Sequence, residues 1–120
     1  MARDPSKLKV FVLADELVLE VYKATRCLPP EERFGLQSQI RRASVSTAVN
    51  IVEGCARPTE AEYLRFIAIS LGSASEARYL LGLAARLELI PAADHQRLAS
   101  RYDDLVRGLQ RLMDALRDPA

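Results

Sequence analysis

The sequence is short of the residues from which reactive sites are usually built. Its 120 residues include no tryptophan, one histidine and two cysteines. A zinc ion takes about four ligands drawn from Cys, His and acidic side chains. His95 and the scattered Cys27 and Cys55 do not supply them, so no metal or other cofactor is expected. There is no phosphate-cradling glycine loop, no Ser-His-Asp pattern and no Glu-x-x-His pair of the kind that holds di-iron in a helical bundle. Asn50 and Glu53 form a suggestive polar pair. A catalytic carboxylate, however, wants a partner acid, a base or a metal, and none is near in sequence. No catalytic residue is assigned, and the chain is expected not to be an enzyme.

Other absences narrow the class further. Alternating β-branched runs and Asn-Gly or Asp-Gly turns are missing, which argues against strands. No stretch approaches the ~18–20 apolar residues of a membrane span. The opening MARDPSKLKV is polar and passes straight into an amphipathic pattern, unlike a secretory leader. With two cysteines in that context, reduced thiols and a cytoplasmic location are expected. Charge of one sign is also lacking: 17 basic and 16 acidic residues leave a net +1, and no block departs far from balance. A dedicated nucleic-acid binder shows a basic stripe. Here one could arise only if folding or assembly brought arginines together.

What is present is amphipathic helix. With 49% hydrophobic and 28% charged residues, the chain reads as one globular domain over residues 1–120. The prolines and glycines mostly punctuate four periodic segments. The first, about 6–26, repeats Val10, Ala14, Leu17, Val21, Ala24 and Leu28 at steps of four and three, with Phe11, Val18 and Tyr22 beside them. Asp4-Pro5 opens it and Leu28-Pro29-Pro30 closes it. The second, about 36–56, carries Leu36, Ile40, Ala43, Thr47, Asn50 or Ile51, and Gly54, mostly small residues that let another helix approach closely. The third, about 60–89, opens with a capping box, Thr59 with Glu62. Its main stripe is Tyr63, Ile67, Ser70, Ala74, Ala77, Leu81 and Ala84. Gly72 and Gly82 each cost roughly 1 kcal/mol against Ala in a helix interior, which close contact with another helix would offset. The fourth, about 92–117, keeps Leu98, Tyr102, Leu105, Leu109, Leu112 and Leu116 in rhythm. Short connections between long helices imply an all-α, up-down-up-down antiparallel four-helix bundle.

Helices one and three carry more apolar surface than one buried face requires. Monomers rarely expose contiguous apolar patches beyond a few hundred Å², so self-association into a symmetric ring or dimer is expected.

The stretches TRCLPPEERFGLQSQIRRASVS, NIVEG and YLRFIAISLGSASEARYLL resemble the bacterial four-helix-bundle proteins of the 23S ribosomal RNA intervening-sequence type. The resemblance runs from about Leu8 to Leu112. Its most specific part is FGL-x-x-QIRRA-x-VS followed by N-I-x-E-G, Phe34 to Gly54. It implies an up-down bundle assembled as a homopentameric ring, in a family most of whose members have no established activity. A related bundle family serves as an accessory of diversity-generating retroelements and binds nucleic acid and a reverse transcriptase. Two departures stand out. Thr47-Ala48-Val49 replaces an Ile-Pro-Ser that would kink the second helix, and Ala74 to Ala77 replaces a segment that usually has a bulkier Glu-Leu pair.

The candidate site residues follow from this pattern. Arg41 and Arg42 point ~100° apart on their helix and suit phosphate contact; the alternative is ion pairing with Glu53, Glu20 or Glu76. Ala43, Thr47, Asn50, Glu53 and Gly72 are candidates for packing or oligomer contacts, since a polar seam residue can fix register and assembly. Cys27 and Cys55 read as small buried hydrophobes. Tyr22, Phe66 and Tyr102 read as core, while Tyr63 and Tyr79 fit either core or base stacking. Arg97, Arg101, Arg107 and Arg111, interrupted by Asp103 and Asp104, read as a solvated face with i,i+4 pairs. The expected function is a homo-oligomeric binding or scaffold bundle whose partner is itself and RNA or a nucleic-acid-associated protein. The alternative is a protein-interaction module with no nucleic-acid contact.

Overall fold

The computed structural model describes residues 3–117. Four long helices account for most of them: α1, Lys9–Ala24; α2, Leu36–Cys55; α3, Glu60–Arg86; and α4, Ala92–Arg117. There is no strand among the described residues. Single 3₁₀ turns at Pro5–Lys7 and Pro30–Glu32 precede α1 and α2. The helices close a square in which α1 packs on α2, α2 on α3, α3 on α4 and α4 back on α1, while the backbones of the described residues do not approach closely across either diagonal. Neighbours run antiparallel. Arg41, early in α2, reaches the Tyr22 carbonyl near the end of α1. At the other end of the pair the Arg3 amide donates to the Cys55 carbonyl at 3.0 Å.

The stripes read from periodicity are the core. In α1, Ala14, Leu17, Val21 and Ala24 are buried, as is Leu28 beyond its end. In α3 every residue from Tyr63 to Ala84 of the predicted main stripe is buried. In α2 the ambiguous position resolves to Ile51, fully buried, with Asn50 half-buried beside it. In α4, Leu98, Tyr102, Leu105 and Leu109 are buried, but Met113 takes the last core place and Leu112 and Leu116 sit at its margin.

Helix ends differ from expectation for identifiable reasons. Asp4 is a cap, but its carboxylate accepts from the Ser6 amide and closes the short 3₁₀ turn; extended Leu8 then separates that turn from α1, which begins at Lys9 rather than Ser6. Thr59 accepts from the Glu62 amide at 3.2 Å, as the capping box predicts. Helix α3 stops at Arg86, not 89. There the Leu89 amide donates to the Ala84 carbonyl and the Glu88 amide to that of Ala85. These are the two bonds of a Schellman motif, with Glu88 at φ 60° where glycine is usual.

Helix α2 packs on α3 through small groups. A Cβ added at Gly54 would lie 3.1 Å from the Phe66 Cβ and 3.2 Å from Tyr63 Cδ1, so the absent side chain lets the two helices approach. Gly72 behaves otherwise: a Cβ there meets nothing within 4 Å. The expected close contact at Gly72 is therefore not made within the chain, and its open helix face is on the outside of α3. No helix of the described residues is long and apolar enough to cross a membrane.

Candidate functional site

The two adjacent arginines have different fates, as their ~100° separation requires. Arg41 turns towards the end of α1. Its Nε donates to Thr25 Oγ1 at 2.9 Å, its Nη2 to the Tyr22 carbonyl at 3.1 Å, and its guanidinium carbon sits 4.4 Å from the Tyr22 ring centre. Thr25 is fully buried and donates in turn to the Val21 carbonyl at 2.7 Å. One turn before Arg41, Gln37 Nε2 donates to the Thr25 carbonyl at 2.9 Å. The last carbonyls of a helix lack intrahelical partners and carry partial negative charge. Gln37 and Arg41 thus act as side-chain caps on α1. Arg42 is exposed on the other flank of α2.

The predicted ion pairs of these arginines with Glu53, Glu20 or Glu76 are not formed. Glu53 pairs with Arg57 on the next turn of its own helix, at 3.2 Å. Glu20 is taken by Arg97 and Arg101 of α4. Among the described residues Glu76 is in no ion pair. Glu20 turns to α4 rather than to α2, and Glu53 is about three turns along α2 from Arg42.

Arg41 and Arg42 instead flank one cleft, of about 440 Å³, at the end of the bundle where α1 hands over to α2. The connecting segment adds Arg33 and Phe34 to its wall, and Tyr22 forms the α1 side. Phe34 is 87% exposed, with the Arg33 guanidinium 5.2 Å from its ring centre. Three cations and two aromatic rings therefore line a space that no carboxylate lines. The closest acid in sequence, Glu32, is committed to the start of α2, where it accepts from the Leu36 amide at 3.1 Å. Tyr22, expected in the core, is an exposed wall of this cleft because an arginine rather than an aliphatic chain covers it. Phe34 opens the most specific stretch of the resemblance, but neither it nor Arg33 or Gln37 was assigned a site role from the sequence. Their signal was only an aromatic and a cation in a loop after two prolines.

Of the other predicted residues, Ala43, Thr47 and Asn50 lie on the α2–α3 seam, whereas Glu53 is exposed in its pair with Arg57 and Gly72 is open on the outside of α3. Ala43 is buried, and its carbonyl accepts from Thr47 Oγ1 at 2.8 Å. The Thr47 carbonyl accepts from the fully buried Ser70 hydroxyl across the seam at 2.7 Å. Asn50 Nδ2 donates to the Ser46 carbonyl and hydroxyl, and the Ser46 hydroxyl shares a 2.8 Å bond with that of Ser73. Asn50 thus sets the Ser46–Ser73 cross-helix bond and approaches no reactive group.

Elsewhere, Cys55 is buried but Cys27 is exposed, contrary to expectation, because it lies past the end of α1 where no helix covers it; both thiols are free. Burial pushes the Cys55 thiol up, and likewise the Tyr63 hydroxyl beneath Arg3. Burial raises the Tyr102 hydroxyl strongly, with Glu20 adding to it, and that hydroxyl has no hydrogen-bond partner among the described residues. In α4 the expected i,i+4 pairs are replaced by i,i+3 pairs, Arg97 with Asp94 and Arg107 with Asp104, and by cross-helix bridges. Arg101 spans Glu16 and Glu20 of α1, and Arg78 of α3 holds Asp103. No cluster of three or more potential metal ligands exists among the described residues.

The comparisons with known proteins agree with this architecture. No curated protein sequence matches the chain. A solved structure does, a protein of unknown function from the S23 ribosomal protein family of Bacteroides thetaiotaomicron. It is 22% identical, superposes with a TM-score of 0.81, and the match covers 87% of this chain and 97% of that one. At that identity the likeness concerns the fold. Residues 6–111 match the family described as 23S rRNA-intervening sequence protein, and on that span the chain belongs to this family.

Proposed function

We propose that the chain is a non-enzymatic binding or scaffold protein that works as an assembly of identical copies. The observation that carries this reading is the outer face of α2. On the side of α2 away from the buried Ile40, Thr47 and Ile51, the helical period places Val49 and Val52 beside one another, about two to three turns beyond Arg42. Val49 is 48% and Val52 43% exposed. A surface helix normally turns charged residues to solvent there, and β-branched residues have no helix-propensity reason to be chosen. Burial against another copy gives them one. If this face met a different face of the next copy, rotation would close a ring; the family resemblance implies five copies. The partner beyond itself is RNA or a nucleic-acid-associated protein, a reading supported by three arginines gathered in a cleft without carboxylates in a chain of net charge +1.

The test is the solution mass. Light scattering should give a defined multiple of 13.4 kDa for the wild type. The double variant Val49→Asp, Val52→Asp should give a folded single chain. A wild type that is monomeric at micromolar concentration would overturn the assembly reading.

A further inference from the structure

The geometry points to the cleft between Tyr22, Phe34 and Arg42 as a site for single-stranded nucleic acid, in which one unpaired base stacks on Phe34 while Arg42 and Arg33 hold its flanking phosphates. This inference rests on the reading of the chain as a binding module and gives that module a ligand class and contact residues.

The division of labour comes from the hydrogen bonds. Arg41 is already spent: Nε and Nη2 are bound to α1, and its face lies on Tyr22. It is a positioning residue that holds the floor of the cleft. Among the described residues neither Arg42 nor Arg33 makes a side-chain hydrogen bond to another residue or an ion pair, and the Arg33 guanidinium lies 5.2 Å from the Phe34 ring centre. An arginine with no partner carries an open fork of donors that matches a phosphate's two oxygens.

Phe34 selects the strandedness. Phe34, 87% exposed in a chain with only seven aromatic residues in 120, presents an open ring face that gains by being covered. Arg33 lies to one side of the ring. A base on its open face would extend that stack to base, ring and guanidinium. Duplexes keep the faces of their bases covered, so only an unpaired base can do this. An acidic peptide would satisfy the arginines and leave Phe34 bare. The cleft, about 440 Å³, is within the usual size of ligand sites, roughly 300–1,000 Å³.

The site need not compete with assembly. Val49 and Val52 are two to three turns along α2 from Arg41 and Arg42, so a neighbouring copy seated there leaves the end of the bundle open. A ring would then repeat the cleft once per copy and multiply weak contacts by effective concentration.

The experiment is fluorescence anisotropy with a labelled twelve-nucleotide oligouridine, titrated with wild type, Phe34→Ala and Arg42→Gln at several salt concentrations. A stable RNA hairpin stem, uridine monophosphate and polyglutamate serve as competitors. Both substituted side chains are exposed, so the variants should keep the wild-type circular dichroism and mass. Oligouridine should bind saturably, more weakly as salt rises. Phe34→Ala should weaken it about tenfold or more, in the range of one lost stacking contact. Arg42→Gln should weaken it and reduce the salt slope. The hairpin stem, the mononucleotide and polyglutamate should compete poorly. No binding of oligouridine at low salt by the assembled wild type would overturn this inference and leave the scaffold reading standing. Equal competition by the stem or by polyglutamate, or binding unchanged in Phe34→Ala, would overturn it too, since charge alone would then account for the contact. Equal competition by uridine monophosphate would overturn the strand and make the ligand a free nucleotide. A monomeric wild type, by contrast, would count against assembly alone.

Discussion

Helix α2 meets α3 through small residues and short neutral hydrogen bonds, whereas α1 meets α4 through ion pairs. On the first seam Gly54, Ala43, Thr47, Ser70 and the Ser46–Ser73 pair let the backbones close, and this pair of helices has the most extensive contact of the bundle. On the second, Arg101 bridges Glu16 and Glu20 at the margin, while Val10 and Gly108 touch beneath. The difference shows where the chain can tolerate change. A close-packed seam has no spare volume, and its buried hydroxyls each need a fixed partner. A margin of half-exposed ion pairs gains little net energy from each pair, because water already solvates the charges well.

Four substitutions would break or sharpen that contrast. The largest effect is expected from Ala43→Leu, which adds three carbons to a site 3% exposed. It should lower stability by about 1–3 kcal/mol in chemical denaturation; an unchanged midpoint would show that the seam has room. Next, Ser70→Ala removes the only side-chain bond from α3 to the Thr47 carbonyl, and should cost about 1 kcal/mol. Gly72→Ala should act in the opposite direction, raising protomer stability by up to about 1 kcal/mol through helix propensity, because no neighbour crowds the new methyl. If it instead lowered the mass in solution, Gly72 would lie at a contact between copies. The smallest effect is expected on the other seam. Glu20→Gln should cost under about 1 kcal/mol, and the difference should shrink in high salt. A loss as large as that of Ala43→Leu would mean the charged seam holds the bundle.

Tyr102→Phe probes the one buried hydroxyl without a hydrogen-bond partner among the described residues. Removing it leaves no other group unpaired, so the melting temperature should stay or rise slightly. A clear fall would show that the hydroxyl is satisfied in solution.

The regular interiors of the helices were legible because one physical quantity, burial of every third or fourth side chain, decides them. Leu17, Val21, Ile40, Ile67, Ala77, Leu81 and Leu105 all sit where the period put them. The small-residue seam was legible for the same reason: Ala43, Thr47 and Gly54 repeat on the inward face. The cleft was not. Tyr22 lies on the same stripe as Phe11 and Val18, and periodicity cannot tell that the residue facing it across the bundle is Arg41. Phe34 and Arg33 belong to a connection whose path depends on where two helices end. Charge summed along the chain also hid the cleft, since three arginines from residues 33 to 42 gather while their acidic neighbours cap a helix or point away. Gly72 misled because helical glycine was read as close packing, and only the three-dimensional neighbours distinguish Gly54 from it.

Both faces of α2 are put to use in this reading, the inner one against α3 and the outer one against another copy. Folding and assembly would then be linked by mass action. The direct measurement is the denaturation midpoint of the wild type over a hundredfold range of protein concentration, beside Val49→Asp, Val52→Asp. The wild-type midpoint should rise with concentration, and that of the double variant should not. A wild-type midpoint independent of concentration, together with a mass of one chain, would contradict a second partner for α2 and leave its outer valines without a role.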